Sequence, residues 1–292
     1  MASPQDASPS AYGGQPPLSY NKYLRVAELI ELQSLLSEPK HHDELLFITI
    51  HQTYELWFKQ ILHEIDAAIG HLAASQSMGA IYSLARVVEI EKILYQQIHL
   101  LETMTPLSFL QFRDKLNPAS GFQSMQFREI EFASGLKDEG ILTAFEDDPY
   151  AHQRLAARME APTLADAYFS YLASRGFEGI GVGEGDNDDT LYERRVRSSV
   201  EVLTHFESRP SEFQLTEKLL EHDEYFSLWR LHHIKMVERM VGSKRGTGGS
   251  EGIGYLQTTL GKKFFPELWE ARTHLDSAHD AATCPFASPT ET

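Results

Sequence analysis

Apolar residues along this chain recur at steps of three and four, and no stretch alternates convincingly with period two. Residues 41 to 61, HHDELLFITIHQTYELWFKQI, begin with charge and continue almost wholly apolar. Their spacing predicts a long helix reaching about Leu72, capped by Asp43, whose carboxylate can accept from the free N–H groups of the first turn. A second segment sets Val87, Ile90, Leu94, Ile98 and Leu101 on one face, and Pro106 is expected to close it. A third starts at Pro210 and steps through Leu215, Leu219, His222, Phe226, Trp229, His233, Met236 and Met240, with Gly242 as its stop. Shorter helices are expected over 107–116, 123–136, 163–175 and 191–207. Together these elements predict an all-α fold, a bundle of long amphipathic helices with shorter ones around it. Residues 1–18 and 277–292 are rich in small, polar and proline residues and read as flexible tails flanking one helical domain over 19–276.

Three histidines interrupt this apolar pattern. His51 shares a stripe with Phe47, Tyr54 and Phe58, while His222 and His233 lie on the seam of the third long segment and His232 turns away from it. A histidine on such a seam is more often a packed structural residue than a ligand. Two imidazoles on distant helices, in surroundings rich in aromatics and methionine, also fit haem, one ligating iron and the other facing the open side. A zinc or di-iron site is less well matched, because neither His51 nor His233 belongs to a paired E-x-x-H pattern and His51 has only Glu55 four residues on. The single cysteine, Cys284, sits in the polar tail, where a haem could not be shielded, and one cysteine forms no internal disulfide.

The net charge of −16, without a basic stripe, argues against nucleic acid as a partner. No stretch approaches the ~18 apolar residues of a membrane span, and the N-terminus lacks a cationic segment followed by an apolar one. A cytoplasmic location is expected. Two glycine-rich stretches stand apart. GFEGIGVGEGDNDD at 176–189 has neither dinucleotide-loop nor calcium-loop spacing and reads as a surface loop. GSKRGTGGSEGIG at 242–254 is either a linker or a mobile lid centred on Thr247. Arg113, in FRDKLNPASGFQS at 112–124, is either a carboxylate clamp at a pocket edge or a surface arginine paired with an acid.

The segments YNKYL at 20–24, LSEPKHHDELLFITIHQTYELWFKQ at 36–60, LETMTPLSFLQFRDKLNPASGFQSMQFR at 101–128, LWRLHH at 228–233, KRGTGGSEGIGYL at 244–256 and FFPELWEART at 264–273 together resemble the tryptophan 2,3-dioxygenase family. The resemblance runs from about Tyr20 to about Thr273 in the family's order, and departs from it over 176–195 and in both tails. It implies haem b, one per subunit, and cleavage of the indole 2,3-bond of L-tryptophan by O2 to N-formyl-L-kynurenine. It further implies that His233 is the axial iron ligand and His51 the distal histidine at the indole N–H, with Phe47 as the aromatic wall. Arg113 would pair with the substrate carboxylate and Thr247 with its ammonium and carboxylate. Phe109 stands where some members carry tyrosine, and Ser120 and Gly121 match the turn at the distal haem face. Tyr20 and Tyr23 match residues that reach a neighbouring subunit's pocket, which implies a homotetramer. An indoleamine-type dioxygenase is the near alternative, and a haem-binding sensor that has lost turnover is the alternative from another class.

Overall fold

In a computed structural model the structure describes residues 18–177, 188–244 and 252–275, and no strand occurs among the described residues. The chain divides after Leu35 into two compact units. The first carries two single-turn helices, α1 (Tyr20–Tyr23) and α2 (Val26–Leu29), with largely exposed side chains. The second carries α3 (His42–Ala73), α4 (Ser77–Leu101), α5 (Pro106–Arg113), α6 (Met125–Ser134), α7 (Glu139–Thr143), α8 (Pro149–Glu160), α9 (Leu164–Ser174), α10 (Asp188–Thr204), α11 (Pro210–Val241), α12 (Ile253–Thr258) and α13 (Pro266–Ala271). The fold is all-α, as the periodicity predicts.

Three long helices form the centre because each has a continuous apolar stripe to bury. α4 packs on both α3 and α11. Ile61 and Ile65 from α3, Leu84 and Val87 from α4, and Leu215 and Leu219 from α11 are fully or almost fully buried in one core. The link between α3 and α4 is tight enough to need a left-handed residue, Ser75, at φ 57°. Among the described residues no helix is long and apolar enough to cross a membrane.

Several boundaries differ from expectation for local reasons. The cap of α3 is His41, not Asp43: the His41 Nδ1 accepts from the Asp43 N–H at 3.2 Å. The His41 ring also packs 5.6 Å from that of Phe112. Pro106 does not close α4, which stops at Leu101; it begins α5 at the first helical position, where its missing N–H costs nothing, behind a Thr105 cap. α8, capped by Asp148 with Pro149 at its start, has no counterpart among the expected helices. Of the glycine-rich stretches, residues 178–187 and 245–251 lie outside the described residues, as does Cys284.

Candidate active site

The second unit encloses a cavity of about 600 Å³, in the range of cofactor and substrate pockets. Phe47, His51, Phe109, Arg113, Ser120, Gly121 and His233 all line it. These residues belong to four separate elements, α3, α5, the turn at Ser120–Gln123 and α11; tertiary packing brings them to one cavity.

α3 supplies one side. Phe47 and His51 are one helical turn apart, with ring centroids 4.1 Å from each other. The Nδ1–H of His51 donates to the Phe47 carbonyl at 2.7 Å, so the neutral ring keeps its Nε2 as a lone-pair acceptor. Burial within the protein pulls the His51 pKa below that of an ordinary imidazole, against the opposing pull of the Phe47 carbonyl and Glu55. His51 keeps accessible surface and lines the cavity. Phe109 and Phe112, from α5, pack at 5.6 and 5.7 Å from Phe47 and at 5.4 Å from each other. The result is a largely aromatic wall that contains the His51 Nε2.

α11 supplies the opposite side. His233 stacks on Trp229 at 5.0 Å and an interplanar angle of 6°. Trp229 in turn meets Tyr54 edge-on at 6.0 Å, and Tyr54 meets His51 at 6.5 Å. A run of aromatic rings thus fixes the two cavity histidines relative to each other. Neither ring nitrogen of His233 hydrogen-bonds to a described residue. Burial pushes its pKa down to about 4, with His51 and His232 adding to the penalty on a second positive charge. At neutral pH His233 is an uncharged imidazole with a free lone pair, the state a metal ligand needs.

The turn between α5 and α6 closes one end. Ser120 caps the short 3-10 turn Gly121–Gln123 through a capping box, accepting from the Phe122 N–H at 3.3 Å while Gln123 accepts from the Ser120 N–H at 3.0 Å. A Cβ built on Gly121 meets no protein atom within 4 Å, so packing inside the chain does not require the glycine. It leaves the cavity wall flat. Glu55, one turn beyond His51, holds this turn in place by accepting from the Ser124 hydroxyl at 2.7 Å and the Gln126 amide at 2.8 Å.

These observations fit a haem. An apolar cavity of cofactor size, an uncharged histidine with no hydrogen-bond partner among the described residues, and a glycine in the turn at its edge suit a flat, apolar iron macrocycle.

Not every expected residue belongs to this wall. Thr247 lies outside the described residues, and Tyr20 and Tyr23 are exposed members of the first unit. Sequence reasoning missed Glu55 as a fastener, although its place on the His51 face was visible. It also missed Arg128 and Arg230, which share the Glu131 carboxylate at 2.7 Å each and tie α6 to α11 beside the cavity. These two are separated from Glu131 by three and ninety-nine residues, and the second spacing carries no local signal. His232 does not simply turn away: it is half-buried against Tyr95 and His99.

A profile of the family described as tryptophan 2,3-dioxygenase matches residues 5–173 and 166–275. Among curated relatives, the tryptophan 2,3-dioxygenase of Nocardioides sp. is 48% identical over 264 residues, covering 88% of this chain and 95% of that protein. That of Herpetosiphon aurantiacus is 45% identical over 262 residues, covering 88% and 98%. That of Kineococcus radiotolerans is 41% identical over 264 residues, covering 89% and 92%. Identity at this level over nearly the whole of both chains leaves one conclusion: the chain belongs to the tryptophan 2,3-dioxygenase family.

Proposed function

We propose that the cavity between α3, α5 and α11 holds one haem b per subunit on His233 and L-tryptophan against His51. The activity is that of the family: haem-dependent oxidative cleavage of the indole 2,3-bond of L-tryptophan with O2, giving N-formyl-L-kynurenine, the first step of tryptophan catabolism by the kynurenine pathway. When bound, the haem would be held by His233 and would supply the iron needed for dioxygen chemistry. The protein's own residues do the rest by binding, orienting and excluding water.

The observation that carries this reading is the pairing of the two cavity histidines. His233 offers a lone pair with no competing partner among the described residues, and His51 offers an Nε2 acceptor in a largely aromatic wall. The indole N–H would donate to that acceptor while the ring lies against Phe47. The Phe47 carbonyl holds the tautomer, so His51 orients the substrate without needing to gain a proton. Arg113, at the end of α5, suits a bidentate contact to the amino-acid carboxylate. Phe109 beside it lacks the hydroxyl that a tyrosine would add, which leaves Arg113 more of that recognition. Ser120 and Gly121 would edge the distal haem face.

Two further assignments rest on the resemblance. Thr247 would meet the substrate's ammonium and carboxylate, closing a glycine-rich lid that keeps water from the reaction. Tyr20 and Tyr23 would complete a neighbour's pocket in a homotetramer. The protein would act in the cytoplasm.

Anaerobic reduction of the haem-loaded protein, followed by O2 and L-tryptophan, should produce the absorbance of N-formyl-L-kynurenine. A protein that takes up haem and binds tryptophan without forming that product would be a sensor, and the reading would be wrong.

A further inference from the structure

We propose that His99, Glu102 and His232 form a second metal site, for a divalent first-row transition ion such as Zn2+, independent of the iron on His233. His99 lies in the last turn of α4, Glu102 directly follows that helix, and His232 comes from α11. One ligating atom from each lies within 4.8 Å of the others. The His99 Nδ1 is 3.0 Å from one Glu102 oxygen and the His232 Nε2 is 3.7 Å from the other. Donors around a tetrahedral zinc at 2.0–2.1 Å stand about 3.3 Å apart, so closing the set needs only side-chain rotation. Two imidazoles and one carboxylate are a donor set for zinc and its first-row neighbours, whereas calcium and magnesium require oxygen.

The packing of the rings favours a ligand set over a plain ion pair. The two imidazole rings are held 4.5 Å apart, with Tyr95 packed 4.8 Å from His232 to brace it. The site is also reachable, because the His99 side chain is 52% exposed. Three protein ligands leave a fourth position for water. The competitor is Arg239, whose guanidinium approaches Glu102 at 3.7 Å, but it is two-thirds exposed and free to swing into solvent. An ion here would pin the end of α4 to α11 one residue before His233, stiffening the helix that carries the proposed iron ligand.

Equilibrium dialysis of the haem-loaded protein against Zn2+, with zinc and iron both measured by elemental analysis, tests this. The intact chain should bind one equivalent of zinc that His99→Asn and Glu102→Gln each weaken at least about tenfold, with iron content and helical circular dichroism unchanged. Arg239→Ala should bind zinc as tightly as the intact chain, or more tightly. Equal zinc uptake by the intact chain and both ligand variants would overturn the site. So would weaker binding by Arg239→Ala, since Glu102 would then be an ion-pair acceptor only. The outcome does not depend on dioxygenase turnover.

Discussion

α11 carries two seam histidines three turns apart, and they are opposite in character. At His222 both ring nitrogens are bonded, Nδ1 to Glu91 at 2.8 Å and Nε2 to the Ser134 hydroxyl at 2.9 Å, and no part of the residue is exposed. Its neighbour Asp223 accepts from the Phe264 and Phe265 N–H groups and from the Trp269 indole. At His233 neither nitrogen finds a protein partner among the described residues, and the ring faces a cavity. The same residue type on the same stripe is structural where its hydrogen bonds close and available where they do not. Polar satisfaction separates the two histidines.

The comparison breaks most sharply at His233. His233→Ala should abolish stable haem binding, read as loss of the Soret band after reconstitution, while helical circular dichroism is retained. Full haem content in that variant would sink the axial assignment. His222→Ala should do the reverse. It strands the Glu91 carboxyl, whose pKa burial already raises, and breaking such a buried pair costs ~3–5 kcal/mol of stability in a denaturant titration. Haem affinity of the folded fraction should change little.

Smaller effects sharpen the picture at the substrate. Arg113→Ala should raise KM for L-tryptophan roughly ten- to hundredfold, the worth of about 1.5–3 kcal/mol for a hydrogen bond to a charged group, with the haem spectrum unaltered. An unchanged KM would place the carboxylate elsewhere. His51 should show itself in pH dependence. Its pKa lies below the ordinary imidazole value, so Nε2 is an acceptor above that value and is lost as pH falls through the lowered one. Tryptophan affinity should therefore drop on the acid side, and His51→Gln should flatten that limb. Phe109→Tyr should give the smallest change, a KM lower by roughly two- to tenfold from one added hydrogen bond. A higher KM would mean that the phenol collides with the aromatic wall instead.

Much of the fold was legible because it is written in short-range periodicity. The stripes of α3, α4 and α11 follow from residue spacing alone, and Gly242 marks the end of α11 as expected. What failed was chemistry at the ends. The histidine at position 41 takes the cap expected of the aspartate at 43, and the proline at 106 starts a helix instead of stopping one. α8 escaped notice because its apolar face is thin, with only Ala151 and Leu155 buried. The cavity residues Phe47, His51, Phe109, Arg113, Ser120, Gly121 and His233 were each visible in motifs whose resemblance to a known family grouped them. The roles of Glu55 and Arg230 were not, since their work is to join segments distant in sequence.

Sequence by itself determined that this chain makes long amphipathic helices with a histidine on two of their apolar stripes, since a 3.6-residue repeat needs only local spacing. Its motifs also determined the family. Tertiary structure alone decided which histidine is satisfied and which is left open. That depends on whether Glu91 and Ser134, or a cavity, meets the ring from another helix. Hydrogen-bond partners 131 and 88 residues away carry no periodicity to be read in advance.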